Sequence, residues 1–507
     1  MKSLSERMTL YMDAGFPIIY IETFEEDKAE RAIVRASSNR EILEWNVRGL
    51  FYSKSDEKRE GISLLEALNN FANPAAMDNE KFARRFSLQR RVLLIKDAQE
   101  LLDVPEITAQ LKFLSEQIIS GELPDANIVI VAPRANVPKA LEHYVTMLTV
   151  DYLSTAEIRQ IILDFCEKQD ISQPLDDFLR ELSLAFKGLP EFEIVNILAL
   201  ALADNGEIGR ADLKLIHDQK KQLVQKSGIM EMVTVKEKLS DIGGLENLKN
   251  WLQAKAKVLK NIDKAQEYGV DLPKGVLIAG LPGCGKSLNA KAAAALFDVP
   301  LLRMDMGRLM GKYVGESEAN MRHAIALAEA ISPCVLWIDE LEKAFAGIGG
   351  GGGGNEVTTR LFGTFLTWMQ EKDGLAFVVA TANNITHLPP ELLRKGRFDE
   401  IFYVGLPSPA ERAKIFQIHI GRRRPKDLPA IDIAKLAKAT EGYSGADIEG
   451  VVKDAIESAF TQDLPSVTTD TILHAIHNTA SLSVIMKEQI EKMSKEYKDR
   501  HFKNASV

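Results

Sequence analysis

Four side chains in this sequence have the types and spacing for phosphate chemistry. Lys286 and Ser287 close the stretch Gly280-Leu-Pro282-Gly283-Cys284-Gly285-Lys286-Ser287, and Asp339 and Glu340 stand together further along the chain. A glycine-rich turn lets backbone N–H groups wrap an anion, and an ammonium group can reach the outer phosphates. In that scheme Lys286 meets those phosphates and Ser287 ligates Mg²⁺. Asp339 holds the ion through water, and Glu340 polarises the attacking water as general base. Gly280, Pro282, Gly283, Cys284, Gly285 and Leu288 complete the nucleotide-binding set. Cys284 reads as a small tolerated residue whose side chain is not asked for chemistry.

These groups need a strand before the turn and a helix after it, and both are present. The apolar run Gly275-Val-Leu-Ile-Ala279 precedes the turn, and Leu288-Asn-Ala-Lys-Ala-Ala-Ala-Ala295 follows it. A second apolar run, Val335-Leu-Trp-Ile338, delivers Asp339 and Glu340 to a strand end. Further short runs at 300–303 and 376–380 predict more strands of a mainly parallel sheet. Beyond Gly405-Leu-Pro-Ser-Pro409 the pattern is helical only, to about residue 479. The charged stretch 486–503 is expected as one exposed helix.

Upstream, Pro17-Ile-Ile-Tyr-Ile-Glu22, Arg91-Val-Leu-Leu-Ile-Lys96 and Asn127-Ile-Val-Ile-Val-Ala132 also read as buried strands. They suggest an internal repeat at domain scale. Arg91 to Asp97 can be laid on Cys334 to Glu340, and Asn127 to Arg134 on Leu375 to Ala382. Leu153-Ser-Thr-Ala-Glu-Ile158 matches Pro407-Ser-Pro-Ala-Glu-Arg412, and Ala185 to Pro190 matches Thr440 to Gly445. The first copy lacks a glycine-rich loop. In its place stands Thr23-Phe-Glu-Glu-Asp27, whose carboxylates would repel phosphate, and Lys96 replaces Asp339. This copy is expected not to hydrolyse nucleotide. The predicted layout is therefore a degenerate α/β domain at 1–210, a helical linker at 211–238 and a nucleotide-binding α/β domain at 239–405. A helical lid at 406–480 and a charged helix at 481–507 complete it.

A chain of 507 residues is too long for one ordinary core, which agrees with that division. With 46% hydrophobic and 27% charged residues it has the balance of a soluble globular protein. The net charge of −9 argues against a protein built mainly to hold nucleic acid. Three scattered cysteines give neither a disulfide framework nor a zinc site. No apolar stretch is long enough to span a bilayer, so a cytoplasmic location without membrane attachment is expected.

Over about residues 239–480 the chain resembles the AAA family of ring-forming ATPases. Besides the two phosphate motifs, Asp241-Ile242-Gly243-Gly-Leu245 is similar to the family's entry segment, which brackets adenine. Thr381-Ala-Asn383 is similar to its polar sensor strand, with Asn383 as the sensor. Leu393-Arg394-Lys-Gly-Arg397-Phe-Asp399 looks like the segment carrying two arginine fingers. His419 and Gly445-Ala446-Asp447 stand where the family's lid meets ribose and base. The resemblance implies an α/β P-loop AAA module with a parallel sheet and a helical lid, preceded by a degenerate AAA-like domain without a P-loop. It implies ATP and Mg²⁺ as cofactors and a homo-hexamer in which Arg394 and Arg397 complete a neighbour's site. The whole layout most resembles AAA proteins encoded as a conserved reading frame in cyanobacteria and algal plastids.

Met310-Gly-Lys312-Tyr313-Val314-Gly315 matches the family's first pore loop. The resemblance makes Lys312, Tyr313 and Val314 a grip on an extended protein chain, the alternative being an aromatic packed at a loop edge. The second pore loop departs from the pattern, because six glycines at 349–354 carry no side chains and are costly to order. Arg422-Arg-Arg424 reads as a solvated patch at a helix end rather than a nucleic-acid site. No His-Glu-x-x-His occurs, so no fused zinc protease is expected. The leading expectation is an ATP-hydrolysing ring that remodels a partner protein. The alternative is a nucleotide-switched assembly or binding protein that threads nothing.

Overall fold

Two mainly parallel sheets organise the chain, one in each of two units. The computed structural model describes all residues except 1–2, 24, 38, 53–57, 75–89, 134, 151, 227, 310–315, 345–354, 373, 386–387, 395 and 501. The expected pore residues Lys312, Tyr313 and Val314 and the glycine run 349–354 lie outside the described residues. One unit comprises Met1–Ile171 with Leu189–Ala199, the other Ser172–Gly188 with Leu200–Val507.

In the first unit the strands are β1 (Ile18–Glu22), β2 (Glu41–Asn46), β3 (Gly49–Tyr52), β4 (Lys58–Glu60), β5 (Arg91–Lys96), β6 (Ala126–Ala132) and β7 (Val145–Thr149). They lie in the order β4-β3-β2-β5-β6-β1-β7. The five from β2 to β7 in that order are parallel, and β3 and β4 form an antiparallel edge. Both faces are buried. Ile18 and Tyr20 of β1 face a core with the helices Leu64–Ala72 and Pro105–Ser120, while Ile19 and Ile21 face Met8, Met12, Ala29 and Ile33. Each such aliphatic side chain contributes about 1.5–3 kcal/mol, which is why these strands read as continuous apolar runs.

The second unit holds β8 (Met230–Val233), β9 (Gly275–Gly280), β10 (Leu301–Met304), β11 (Cys334–Ile338), β12 (Ala376–Ala382), β13 (Glu400–Val404) and β14 (Lys503–Asn504). Their order is β14-β13-β9-β12-β11-β10-β8, with β8 antiparallel. Counting the parallel strands of each unit in chain order, the first sheet runs 5-1-4-3-2, and the second repeats that order with β14 added as a sixth parallel strand beside the fifth. The repeat proposed from sequence is therefore a repeat of topology. The helices Glu246–Lys260 and Lys286–Phe297 cover one face of the second sheet. Helices Pro409–Arg423, Ile433–Ala439, Gly445–Thr461 and Thr469–Asn478 form a bundle around Phe416, Ile448, Val452 and Ile472. Among the described residues no helix is long and apolar enough to cross a membrane.

The structure changes several local readings. The match of Asn127 on Leu375 is out by two residues. Lys96 lies opposite Val131, whereas Ile338 lies opposite Ala380, so one step further Val131 takes the place of Thr381. A shift of two keeps every side chain on its face, and alternation alone cannot detect it. The last match is out by one, because Gly188 and Gly442, at φ 84° and 82°, each lie three residues before a helix start. The stretch expected as a helical linker contains the strand β8, and its helix Leu213–Lys226 buries Lys220, whose ammonium donates to the Ala185 carbonyl at 3.0 Å. The charged tail is not one exposed helix: Lys487–Asp499 is helical, Tyr497 is buried, and β14 then joins the sheet edge beside β13.

Candidate nucleotide site

The glycine-rich turn lies between β9 and the helix Lys286–Phe297, at the C-terminal ends of the parallel strands. Gly283 has φ +72°, and a Cβ there would lie 2.9 Å from both the Ala446 Cβ and the Ser444 hydroxyl oxygen. Only glycine fits that approach, which is sealed by the Ala446 N–H donating to the Gly283 carbonyl at 2.9 Å. The lid helix Gly445–Thr461 is thereby attached to the turn itself. Lys286 is buried, and its ammonium donates to the Gly280 and Leu281 carbonyls at 2.9 and 2.7 Å. Burial pushes its pKa down to about 8. Burial also pushes the Cys284 thiol up to about 11, so this cysteine stays protonated at pH 7.

At the tip of β11 the two carboxylates are held differently. Asp339 Oδ1 accepts from the Ser287 hydroxyl at 3.1 Å and from the Thr381 hydroxyl at 2.5 Å. The Glu340 N–H donates to the same Thr381 oxygen at 3.0 Å, and Glu340 sits at φ 51°. A non-glycine residue in the left-handed region is strained and persists only where its surroundings hold it. The Glu340 carboxylate accepts from the Asn383 amide at 3.1 Å and pairs with Lys343 at 2.5 Å. Asn383 is itself set by its backbone N–H, which donates to Glu342 at 2.9 Å. Burial raises the Glu342 pKa.

On the other side of the cleft lie Asp241, Ile242, Gly243, His419, Gly445 and Ala446, which with the turn enclose about 450 Å³. That is within the range of small-molecule sites. Arg422 pairs with Asp241 at 3.1 Å, and the buried Lys249 ammonium donates to the Ile242 carbonyl at 2.7 Å. Burial lowers the pKa of His419, keeping the ring neutral at pH 7. In the arginine run after it Arg422 is exposed, while Arg423 pairs with Glu449 and Arg424 with Asp427.

The structure thus brings together Asp241, Ile242, Gly243, the turn residues 282–288, Asp339, Glu340, Asn383, His419, Gly445 and Ala446 around one cleft. Arg394 and Arg397 are not among its lining residues. Arg394 is exposed after the short turn Pro390–Leu393, and Arg397 donates back to the Glu391 carbonyl. Asp399 accepts from the Lys274 and Gly275 N–H groups and pairs with Lys255. Three contributors escaped the sequence reading: Thr381, Glu342 and Glu411. The first lies within the quoted sensor strand. Glu411 carried a signal only as the helix-capping Ser408-x-x-Glu411.

A hydroxyl and a carboxylate converging 3.1 Å apart are hard oxygen donors of the kind Mg²⁺ takes. Ser287 and Asp339 are the residues that would hold it, and bound there it would offset charge on the phosphates.

A strand–turn–helix with a buried lysine, beside an acidic strand tip in a 5-1-4-3-2 sheet, defines the P-loop nucleotide-binding class. Family comparison agrees. Residues 276–406 match the ATPase family associated with various cellular activities (AAA), and 430–474 match the AAA+ lid domain. Residues 4–150 and 156–227 match the N-terminal and second domains of SpoVK-like AAA ATPases. The chain is 37% identical over 489 residues to the AAA domain-containing protein ycf46 of Guillardia theta, covering 96% of this chain and 93% of that one. Shorter matches include the proteasome-activating nucleotidase of Aeropyrum pernix, 36% identical over 46% of this chain and 58% of that one. Another is the ATP-dependent zinc metalloprotease FtsH of Mycoplasmopsis synoviae, 33% identical over 54% of this chain and 41% of that one. The chain belongs to the AAA ATPase family, with the ycf46 proteins of algal plastids.

Proposed function

We propose that the chain is a Mg²⁺-dependent ATPase that works as a ring of identical subunits, a hexamer, and remodels or regulates a partner protein. The observation that carries this reading is the joined set at the strand tips. Ser287 and Thr381 share Asp339, while Asn383 holds Glu340. Lys286 and the turn bind the phosphates, and Glu340 takes a proton from the attacking water while Asn383 aims its carboxylate. Asp241, Ile242, Gly243, His419, Gly445 and Ala446 hold the base and ribose. Nucleotide is bound in the second unit alone, and the first unit serves as a scaffold or docking module.

Arg394 and Arg397 complete the site of the next subunit, where a permanent cation offsets charge developing on the γ-phosphate. The exposure of Arg394 and its absence from its own cleft support that role. Lys312, Tyr313 and Val314 grip the partner. The relatives' printed activities, an ATP-dependent protease and a proteasome-activating nucleotidase, support work on proteins.

Turnover per subunit, measured over a dilution series, tests the ring. It falls as the ring dissociates, and Arg394→Ala lowers kcat by about 10³. Constant turnover on dilution with an unaffected Arg394→Ala overturns it. A partner trapped by Glu340→Gln then tests the grip, since Tyr313→Ala keeps ATPase activity and loses remodelling.

A further inference from the structure

The turn on the base side of the cleft is held by residues from the far end of the chain. Leu245 links the Asp241-Ile242-Gly243 segment to the helix Glu246–Lys260 and has φ 58°, with no side-chain cap for that helix. A left-handed leucine at an uncapped helix start is strained, and its orphan N–H groups need partners. Both needs are met from outside the helix. The Leu245 N–H donates to Glu411 Oε1 at 2.9 Å, and the Ser506 hydroxyl donates to the same oxygen at 2.7 Å. The Ala505 carbonyl accepts from the N–H groups of Asn247 and Leu248 at 3.0 and 3.2 Å, which caps the helix.

Ala505 is fully buried, and its own N–H donates to the Tyr403 carbonyl at 2.9 Å. The Asn247 amide donates to the Ser506 carbonyl at 2.7 Å. The segment is therefore seated along β13, with Tyr497 stacked on Tyr403 at 4.2 Å between ring centroids. Glu411 packs against the turn at a place only glycine leaves open, because a Cβ on Gly244 would lie 2.3 Å from its Oε1. Its other oxygen accepts from the Ser408 N–H at 2.8 Å. Glu411 belongs to the lid helix Pro409–Arg423, so one carboxylate joins the lid, the base-side turn and the strand extension.

We propose that Ser506 is a positioning residue for the nucleotide. Through Glu411 it fixes the 243–245 turn, and so sets how tightly the base is held without touching the chemical step. The inference rests on the reading that this cleft binds ATP.

The test is steady-state ATP hydrolysis and calorimetric ATP binding by the full chain, for the natural protein, Ser506→Ala and Ser506→Thr. Losing one hydrogen bond to a carboxylate raises KM and Kd for ATP about three- to tenfold in Ser506→Ala, with kcat held within about twofold. Threonine keeps the hydroxyl and restores KM. In a Glu411→Gln background, Ser506→Ala adds less to KM than it does alone, because the two act as a unit. An unchanged KM in Ser506→Ala, or a fall in kcat at constant KM, overturns the positioning role and leaves the nucleotide site intact. A natural protein that binds no ATP removes the site and this inference together.

Discussion

The two sheets share a strand order and exchange their charges. In the second unit the helix after the first parallel strand begins with Lys286, and the third parallel strand leads into Asp339 and Glu340. In the first unit the equivalent helix begins with Glu26, and the third strand ends at Lys96 and Asp97. Lys96 pairs with Glu30 at 2.9 Å, Glu44 at 3.3 Å and Glu26 at 3.4 Å. The backbone kept its shape through the exchange, since Asp97 and Glu340 have φ 52° and 51°. The phosphate loop did not. Only residues 23–25 connect β1 to its helix, against 281–285 in the second unit. A sheet of this order therefore does not need nucleotide chemistry at its strand tips, because an internal ion-pair cluster can occupy the same place.

The two lysines carry this contrast in their pKa values. Burial disfavours the charge on both. For Lys96 the hydrogen bond to Glu30 and the nearby Glu44, Glu30 and Glu26 outweigh burial, and its pKa is raised. For Lys286 burial prevails over Cys284, Glu342, Asp339 and Glu340, leaving it at about 8. A bound phosphate would do for Lys286 what the three carboxylates do for Lys96.

The largest effect that separates the two units is expected from Lys96→Ala. It leaves three carboxylates without their cation, and destabilises the first unit by about 2–4 kcal/mol in urea unfolding while ATP affinity is retained. Lost ATP affinity with unchanged stability would break the comparison. The same pairing has a pH signature. Because the folded pKa of Lys96 lies above its ordinary 10.5, its contribution is complete below about pH 10.5 and is lost as pH rises through the folded value.

A smaller effect is expected at Lys286. Phosphate binding favours its ammonium form, so binding above pH 8 takes up a proton. ATP affinity then falls as pH rises past about 8, by at most about tenfold per unit. Calorimetry in buffers of different ionisation enthalpy reads that proton directly. Affinity that does not change between pH 7 and pH 9.5 would contradict the burial of this lysine.

Legibility followed the range of the interactions. The turn, its strand and its helix are contiguous, and the acidic pair ends an apolar run, so local pattern was enough for Lys286, Ser287, Asp339 and Glu340. The repeat was legible strand by strand, but its register was not, because a two-residue slip leaves the alternation unchanged. Glu411 escaped the reading because its only local signal is the helix-capping Ser408-x-x-Glu411, whereas its bond to Leu245 spans 166 residues and has no local signature. Lys503 and Asn504 are polar and few, and only the pairing with β13 makes them a strand.

On the proposed function, one unit of the pair binds nucleotide and the other replaces it with an ion-pair cluster. The most direct test is the number of ATP molecules bound per chain, counted by calorimetry on Glu340→Gln protein so that hydrolysis is slow. The expected result is one per chain, and none when Lys286→Ala is added. Two per chain, or one that survives Lys286→Ala, would contradict it.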